Sequence, residues 1–152
     1  MPVSALPLGG TCRCTNIRFE ISSAPILTAA CHCRDCQRMT ASAFSLTAMM
    51  PAADFRIIKG KPVEKSLPRS LRQHFYCPDC MTWIFTKIKG IDDRVNIRPT
   101  LCDDAVWAKP FIEMMTRDKL PWAITPAAHS FDGFPTAAEL QRLLGCFARE
   151  TS

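Results

Sequence analysis

The chain has 152 residues, of which 47% are hydrophobic and 22% are charged, a composition typical of a globular protein rather than a disordered one. No apolar run approaches the roughly 20 residues that a transmembrane helix needs, so we expect no membrane partner. The formal net charge of +5 would favour an anionic partner, but this count treats all nine cysteines as neutral.

The first ten residues carry neither a basic leader nor an apolar core of signal-peptide length. We therefore expect a cytoplasmic protein, in which cysteines serve as metal ligands or reactive thiols rather than as disulfides. No repeat or low-complexity tract divides the chain, and its prolines are scattered rather than gathered into a linker. A single domain is therefore expected over residues 1–152.

Short strand signals follow one another along most of the chain. Ile17, Phe19 and Ile21 alternate with charged residues, the period of two expected of a strand with one buried face. Proline and glycine mark the turns between such segments. Further strands are predicted over residues 43–50, 55–59, 71–76, 82–87 and 94–98. The body of the protein is therefore predicted to be mainly β, with mostly antiparallel strands.

A short helix is predicted near the C-terminus. Thr136 and Glu139 form a capping-box pattern, and large apolar residues then recur at helical spacing from Leu140 to Phe147. Residues 120–135, which precede the helix, hold three prolines and show little periodicity. We expect them to form a long loop or arm.

Seven of the nine cysteines fall into three short clusters. The motif from Cys77 to Cys80 is a C-x-x-C pair between two predicted strands, the position of a metal-binding hairpin. Cys12 and Cys14 can form another pair, because residues i and i+2 of an extended strand project from the same face. Each pair supplies half of the four ligands that a structural zinc ion needs.

The third cluster, Cys31, Cys33 and Cys36, offers three sulfurs within six residues. Catalytic zinc ions typically keep three protein ligands and leave the fourth position to water or substrate, so this cluster indicates a functional metal. His32 is a poor candidate for the fourth ligand, since in an extended segment it points away from its two cysteine neighbours. Spacing alone leaves open which clusters share a metal. A thiol-rich protein with one redox disulfide is an alternative.

Charges near the cysteines change the expected partner. If seven cysteines bind two zinc ions as thiolates, the net charge falls from +5 to about +2. That modest charge, without a basic stripe of interleaved aromatic residues, argues against nucleic acid. Arg34 and Arg38 flank the three-cysteine cluster and could attract the carboxylates of a small thiol such as glutathione. The alternative is a pair of solvated surface arginines.

Three ordered motifs carry a resemblance to a known family. They read Gly10-x-Cys12-x-Cys14, Cys31-His32-Cys33-x-x-Cys36 and Phe75-x-Cys77-x-x-Cys80. Together they resemble the glutathione-dependent formaldehyde-activating enzyme family, which also includes centromere protein V-like domains. The resemblance covers about residues 9–122 and leaves the loop and helix of residues 123–152 outside it.

The resemblance implies an Mss4-like fold of zinc-stapled antiparallel sheets with one structural and one catalytic zinc ion. The structural ligands implied are Cys12, Cys14, Cys77 and Cys80. The catalytic ligands implied are Cys31, Cys33 and Cys36. Active relatives are carbon–sulfur lyases that join or split formaldehyde and glutathione through S-hydroxymethylglutathione. The open three-cysteine site favours such an enzyme, and a non-catalytic zinc-binding interaction module of the same fold is the alternative.

The chain departs from the family pattern beside the structural cysteines. The family commonly places glycine after the second and the last of them, where this chain has Thr15 and Met81. Glycine adopts positive φ without strain, so we expect a strained backbone or a different turn at Met81. Phe111 stands where the family usually has a histidine. These departures concern the substrate more than the fold.

Overall fold

The computed structural model describes residue 3 and residues 5–151. Within it the chain divides into two units. The first comprises Met1–Pro25 and Met49–Trp107, and the second comprises Ile26–Ala48 and Ala108–Ser152. The single domain expected over residues 1–152 stays a prediction.

The described elements are mostly short strands. In chain order the strands are β1 (Leu8–Thr11), β2 (Arg18–Ile21), β3 (Leu27–Cys31), β4 (Ser45–Pro51), β5 (Phe55–Lys59), β6 (Val63–Glu64), β7 (Arg72–Tyr76), β8 (Trp83–Ile88), β9 (Ile91–Ile97), β10 (Ile112–Met114) and β11 (His129–Ser130). The helices are α1 (Arg34–Thr40) and α2 (Ala137–Thr151). Neither helix has the length and apolar character that a bilayer-spanning segment requires, and no other described helix does.

The first unit is built from antiparallel strands around an aromatic core. One sheet has the order β1-β2-β5, and β6, β7, β8 and β9 pair with one another in that order. The ring of Phe55 lies 5.5 Å from that of Phe19 and 5.0 Å from that of Phe85. Phe75 stacks on Phe85 at 4.4 Å. These four rings connect the two sets of strands within the unit.

The second unit contains parallel strands that the sequence did not predict. Strand β10 pairs in parallel with β3 on one side and with β11 on the other. At three and two residues, β10 and β11 are too short to show an alternating pattern. The predicted fold class is confirmed as mainly β with a C-terminal helix, and these parallel pairs qualify its antiparallel character.

Helix α2 begins with the predicted capping box. The Glu139 amide donates to Thr136 Oγ1 at 3.2 Å, and the Thr136 amide donates to Glu139 Oε2 at 2.7 Å. Leu143 and Phe147 are buried, and the Phe147 ring lies 5.3 Å from that of Phe111. The predicted helix is therefore confirmed.

The position of Gly10, in the first cysteine motif, has no room for a side chain. It pairs with Phe19 across strands β1 and β2, and a Cβ built at Gly10 would overlap the fully buried Phe19 ring. Because Phe19 is packed against Phe55, the ring has little room to move aside.

Gly10→Ala is expected to lower the free energy of unfolding by about 1–3 kcal/mol through this overpacking. The matched control is Gly145→Ala in helix α2, where a Cβ would lie 3.5 Å from the flexible end of Arg149. The control should raise stability by about 0.5–1 kcal/mol. Urea unfolding measures both, and equal effects of the two substitutions would contradict the packing argument.

Candidate metal centres

The four-cysteine group forms where two hairpins of the first unit meet. Cys12 and Cys14 lie in the turn between β1 and β2, and Cys77 and Cys80 lie in the turn between β7 and β8. All four Sγ atoms lie within 4.8 Å of one another, with 3.6 Å from Cys12 to Cys14 and 3.7 Å from Cys14 to Cys77. Sulfurs about 2.3 Å from a tetrahedral zinc ion would be about 3.8 Å apart. The group therefore fits a closed structural zinc site.

The sequence argument for the first pair was wrong about local structure. Cys12 and Cys14 converge through a turn, in which the Thr15 amide donates to the Cys12 carbonyl at 3.0 Å, rather than through an extended strand. The second pair lies in a hairpin turn as predicted, closed by the Cys77 amide donating to the Thr82 carbonyl at 3.0 Å.

Two hydrogen-bond donors hold individual sulfurs of this group. The Ile17 amide donates to Cys12 Sγ at 3.2 Å, and the Thr82 hydroxyl lies 3.1 Å from Cys80 Sγ. Desolvation raises the pKa of Cys80, but hydrogen bonds from Thr82 outweigh this effect and lower the pKa to about 5. A backbone hydrogen bond at Asn16 lowers the pKa of Cys14, but desolvation and the neighbouring sulfurs raise it to about 12. Without a cation, therefore, the four thiols do not all ionise at neutral pH.

Of the two alternatives expected at Met81, the structure shows the strained backbone, and Thr15 adopts the same conformation. Thr15 has φ of 66° and Met81 has φ of 60°, both in the left-handed region that favours glycine. Met81 is 60% exposed, so its side chain gains little from packing. The departures from the family pattern thus alter backbone energy and leave all four sulfurs in place.

The three-cysteine group lies in the second unit around the start of helix α1. Cys31 ends strand β3, Cys33 is the N-cap of the helix, and Cys36 lies within it. Their Sγ atoms also lie within 4.8 Å of one another. The Cys36 amide donates to Cys33 Sγ at 3.4 Å, and the buried Ser45 hydroxyl lies 3.1 Å from Cys36 Sγ. The sequence did not predict this seven-residue helix, because it has no apolar periodicity.

Thiol acidity in this group also depends on a cation. The neighbouring Cys36 and burial raise the pKa of Cys31 far above its ordinary value, and desolvation raises the pKa of Cys33. Three sulfurs fit the donor set of a zinc ion that keeps one position for another ligand. Among the described residues, no histidine, aspartate or glutamate joins this group.

His32 is buried beside the three-cysteine group and is not a member of it. Its Nε2 lies 3.0 Å from Glu113 Oε2, and its ring packs edge-on against Phe44. Since an ionised carboxylate only accepts hydrogen bonds, Nε2 is the donor in this contact. Among the described residues, Nδ1 has no hydrogen-bond partner.

Glu113 is the residue of this region that sequence reasoning missed. It is 6% exposed and accepts hydrogen bonds from Lys119, Thr125, Ser130 and His32. Desolvation raises the pKa of Glu113, but the hydrogen bonds from Lys119 and the other donors outweigh this effect and lower the pKa to about 2. A single glutamate within the apolar run of residues 111–115 was the available signal.

The two arginines differ in their surroundings. Arg34 donates to Gln37 Oε1 at 2.6 Å within helix α1. Arg38 is exposed in the last turn of that helix, and its side chain has no hydrogen bond or ion pair among the described residues. Their predicted role in binding a ligand stays a prediction.

The two remaining cysteines join neither group. Cys102 is buried, and burial together with Asp103 and Asp104 raises its pKa to about 12. Cys146 accepts a hydrogen bond from Arg149 at 3.2 Å within helix α2. Neither therefore lies in a candidate metal site among the described residues.

Comparison with known proteins agrees with the resemblance seen in the sequence. The family model described as glutathione-dependent formaldehyde-activating enzyme matches residues 7–118. A Rhodobacter sphaeroides protein of known crystal structure is similar in fold, with a TM-score of 0.51 and 16% sequence identity over 62% of this chain and 87% of that one. No curated protein matches the sequence significantly. At such low identity the structural likeness bears on the fold alone.

Met81→Gly is expected to raise the free energy of unfolding by about 1 kcal/mol over Met81→Ala, since both remove the side chain but only glycine relieves the left-handed strain. Urea unfolding of the two zinc-loaded variants measures the difference. Equal stabilities would show that the turn carries no strain.

Glu113→Gln tests the buried carboxylate through its pH dependence. The folded pKa of about 2 lies below the ordinary value of 4.5, so its stabilisation is fully present above about pH 5 and is lost as the pH falls toward 2. We expect a loss of about 3 kcal/mol at pH 7 that shrinks between pH 5 and pH 2. Urea unfolding over this pH range measures it.

The control for this comparison is Glu20→Gln, whose carboxylate pairs with the exposed side chain of Arg56. That substitution should change the free energy of unfolding by less than about 1 kcal/mol over the same pH range. A loss at Glu113 that does not vary with pH would contradict an ionised carboxylate.

Proposed function

The chain belongs to the glutathione-dependent formaldehyde-activating enzyme family, and from this membership we propose that it is a zinc-binding carbon–sulfur lyase. Its substrate would be the adduct of a small aldehyde and a thiol, of the S-hydroxymethylglutathione type. The proposal goes beyond family membership in naming a reaction, a thiol and two metal ions.

The observation that carries the proposal is the unequal completeness of the two cysteine groups. Four sulfurs complete the ligand set of a tetrahedral zinc ion, whereas three leave one position for an incoming ligand. Cys12, Cys14, Cys77 and Cys80 would hold the structural ion. Cys31, Cys33 and Cys36 would hold the catalytic one.

Protein groups around the three sulfurs prepare them for this role. The Cys36 amide and the Ser45 hydroxyl hydrogen-bond to sulfurs of the group, which stabilises them as thiolates and restricts their positions. A zinc ion bound there would lower the pKa of a thiol and so supply a nucleophilic sulfur.

The reaction is an addition that balances without any oxidant or reductant. The thiol sulfur forms a bond to the aldehyde carbon while the thiol proton passes to the carbonyl oxygen. The reverse reaction breaks the same carbon–sulfur bond and returns the proton to sulfur. The thiol and the aldehyde are the two reactants of the addition and the adduct is the one reactant of the reverse reaction, so no further co-reactant is needed in either direction.

The thiol would be recognised by charge. Arg38 is exposed on helix α1, the helix that carries Cys36, and its guanidinium matches the carboxylates of glutathione. Arg34 would contribute less, because one of its nitrogens already donates to Gln37. A reducing compartment such as the cytoplasm suits this chemistry, since all nine cysteines are free of disulfides.

Cys33→Ser is expected to remove about one zinc ion per chain and to abolish glutathione-dependent turnover of formaldehyde while the protein stays folded. Cys77→Ser, the matched control in the other group, should lower thermal stability strongly because it opens the structural site. Zinc content per chain, thermal unfolding, and adduct formation followed by NMR measure these effects. S-methylglutathione, which lacks a free thiol, serves as the substrate control.

Three results would contradict the proposal. One zinc ion per wild-type chain, with stability indifferent to glutathione, would favour a non-catalytic interaction module of the same fold. Unfolding of Cys33→Ser would contradict the division of labour between the groups. A reversible disulfide among Cys31, Cys33 and Cys36 with only one firmly held zinc would favour a redox protein.

A further inference from the structure

The Glu113 carboxylate is the most heavily hydrogen-bonded side chain described near the three-cysteine group. Its Oε1 accepts from Lys119 at 3.0 Å and from Ser130 at 2.7 Å. Its Oε2 accepts from His32 at 3.0 Å, from Lys119 at 2.8 Å and from Thr125 at 2.8 Å. Burying an ionised carboxylate is costly unless such partners compensate, and an apolar residue would avoid that cost altogether. The arrangement therefore calls for a specific explanation.

His32 connects this carboxylate to the three-cysteine group. Its side chain is bound to Glu113, its amide donates to the Met114 carbonyl at 3.0 Å, and its carbonyl accepts from Gln37 Nε2 at 2.7 Å. A residue held at its ring, its amide and its carbonyl has little conformational freedom. Because His32 stands between Cys31 and Cys33, its backbone determines how those two sulfurs are spaced.

Two of the other donors to Glu113, Thr125 and Ser130, come from residues 120–135, which were predicted only as a loop or arm, and Lys119 directly precedes that segment. Lys119, Thr125 and Ser130 all lie between the end of β10 and the start of α2. Their convergence on one carboxylate fastens this irregular segment beside the strand that pairs with β3. The same interaction thus orders the segment and immobilises His32.

We propose that Glu113 is a positioning residue of the three-cysteine group, which fixes His32 and thereby the spacing of Cys31 and Cys33 for metal binding. This inference rests on the metal site of the proposed function. It does not require that Glu113 touch the metal or the substrate.

The experiment compares zinc affinity in wild type, Glu113→Gln and Ser130→Ala, using competition between the full-length, zinc-loaded protein and a chelator. Ser130→Ala is the matched control, because it removes one hydrogen bond from Oε1 and leaves the contact of Oε2 with His32 intact. Wild type should lose two zinc ions in separate steps. In Glu113→Gln the weaker-bound ion should lose about 10- to 100-fold in affinity while the other is unchanged.

A spectroscopic measurement separates positioning from general stability. With cobalt in place of zinc, the visible absorption of the three-cysteine site should shift in Glu113→Gln, because its ligand geometry relaxes, and should not shift in Ser130→Ala. The absorption of the four-cysteine site should stay the same in every variant.

The outcomes distinguish this inference from the proposed function. A single zinc ion in saturated wild type would remove the second metal site, and the proposed function with it. Two ions in wild type with unchanged affinities and spectrum in Glu113→Gln would overturn the inference alone.

If Glu113→Gln fails to fold, zinc affinity is measured instead in the double variant Glu113→Gln with Lys119→Met. This variant removes both charges, so that no unpaired charge is left buried. Wild-type affinity for both ions in the double variant would overturn the inference. Simultaneous loss of both ions would also overturn it, because Glu113 would then support the whole chain rather than one site.

Discussion

Mutual repulsion between closely spaced thiolates is the constraint on which the arrangement of the first unit depends. Two hairpins bring four sulfurs within 4.8 Å, a separation at which they do not all ionise in the absence of a cation. The four thiols also differ in acidity, since hydrogen bonds from Thr82 lower the pKa of Cys80 against desolvation, whereas desolvation and the neighbouring sulfurs raise the pKa of Cys14. A bound divalent cation would remove this conflict and join the β1–β2 and β7–β8 hairpins.

The three-cysteine group meets the same constraint in a different setting. The Cys36 amide and the Ser45 hydroxyl hydrogen-bond to its sulfurs, and the region beside it is organised around the buried carboxylate of Glu113. Glu113 tolerates burial because each oxygen accepts at least two hydrogen bonds and Lys119 supplies the opposite charge. The second unit thus stabilises its cysteine-bearing loop through the hydrogen bonds that Glu113 and Gln37 make to His32.

The two cysteine groups suit different tasks. A closed set of four sulfurs contributes to folding and offers no position to a reactant, whereas a set of three can accept one more ligand. Thiol chemistry fits a metal surrounded by sulfur, because sulfur donors reduce the power of zinc to acidify water. Strain at Thr15 and Met81 lies beside the four-cysteine group, where it costs stability.

The sequence by itself determined the two cysteine groups that could hold a metal, most of the antiparallel strands and the capped C-terminal helix. All of these depend on spacing or on neighbours within a few residues. Only the tertiary structure decided that Cys12 and Cys14 meet through a turn, that short strands such as β10 run parallel to β3, and that Glu113 binds His32. The last two features join residues far apart in the chain, and neither a short turn, a three-residue strand nor a single buried glutamate carries a periodic signal.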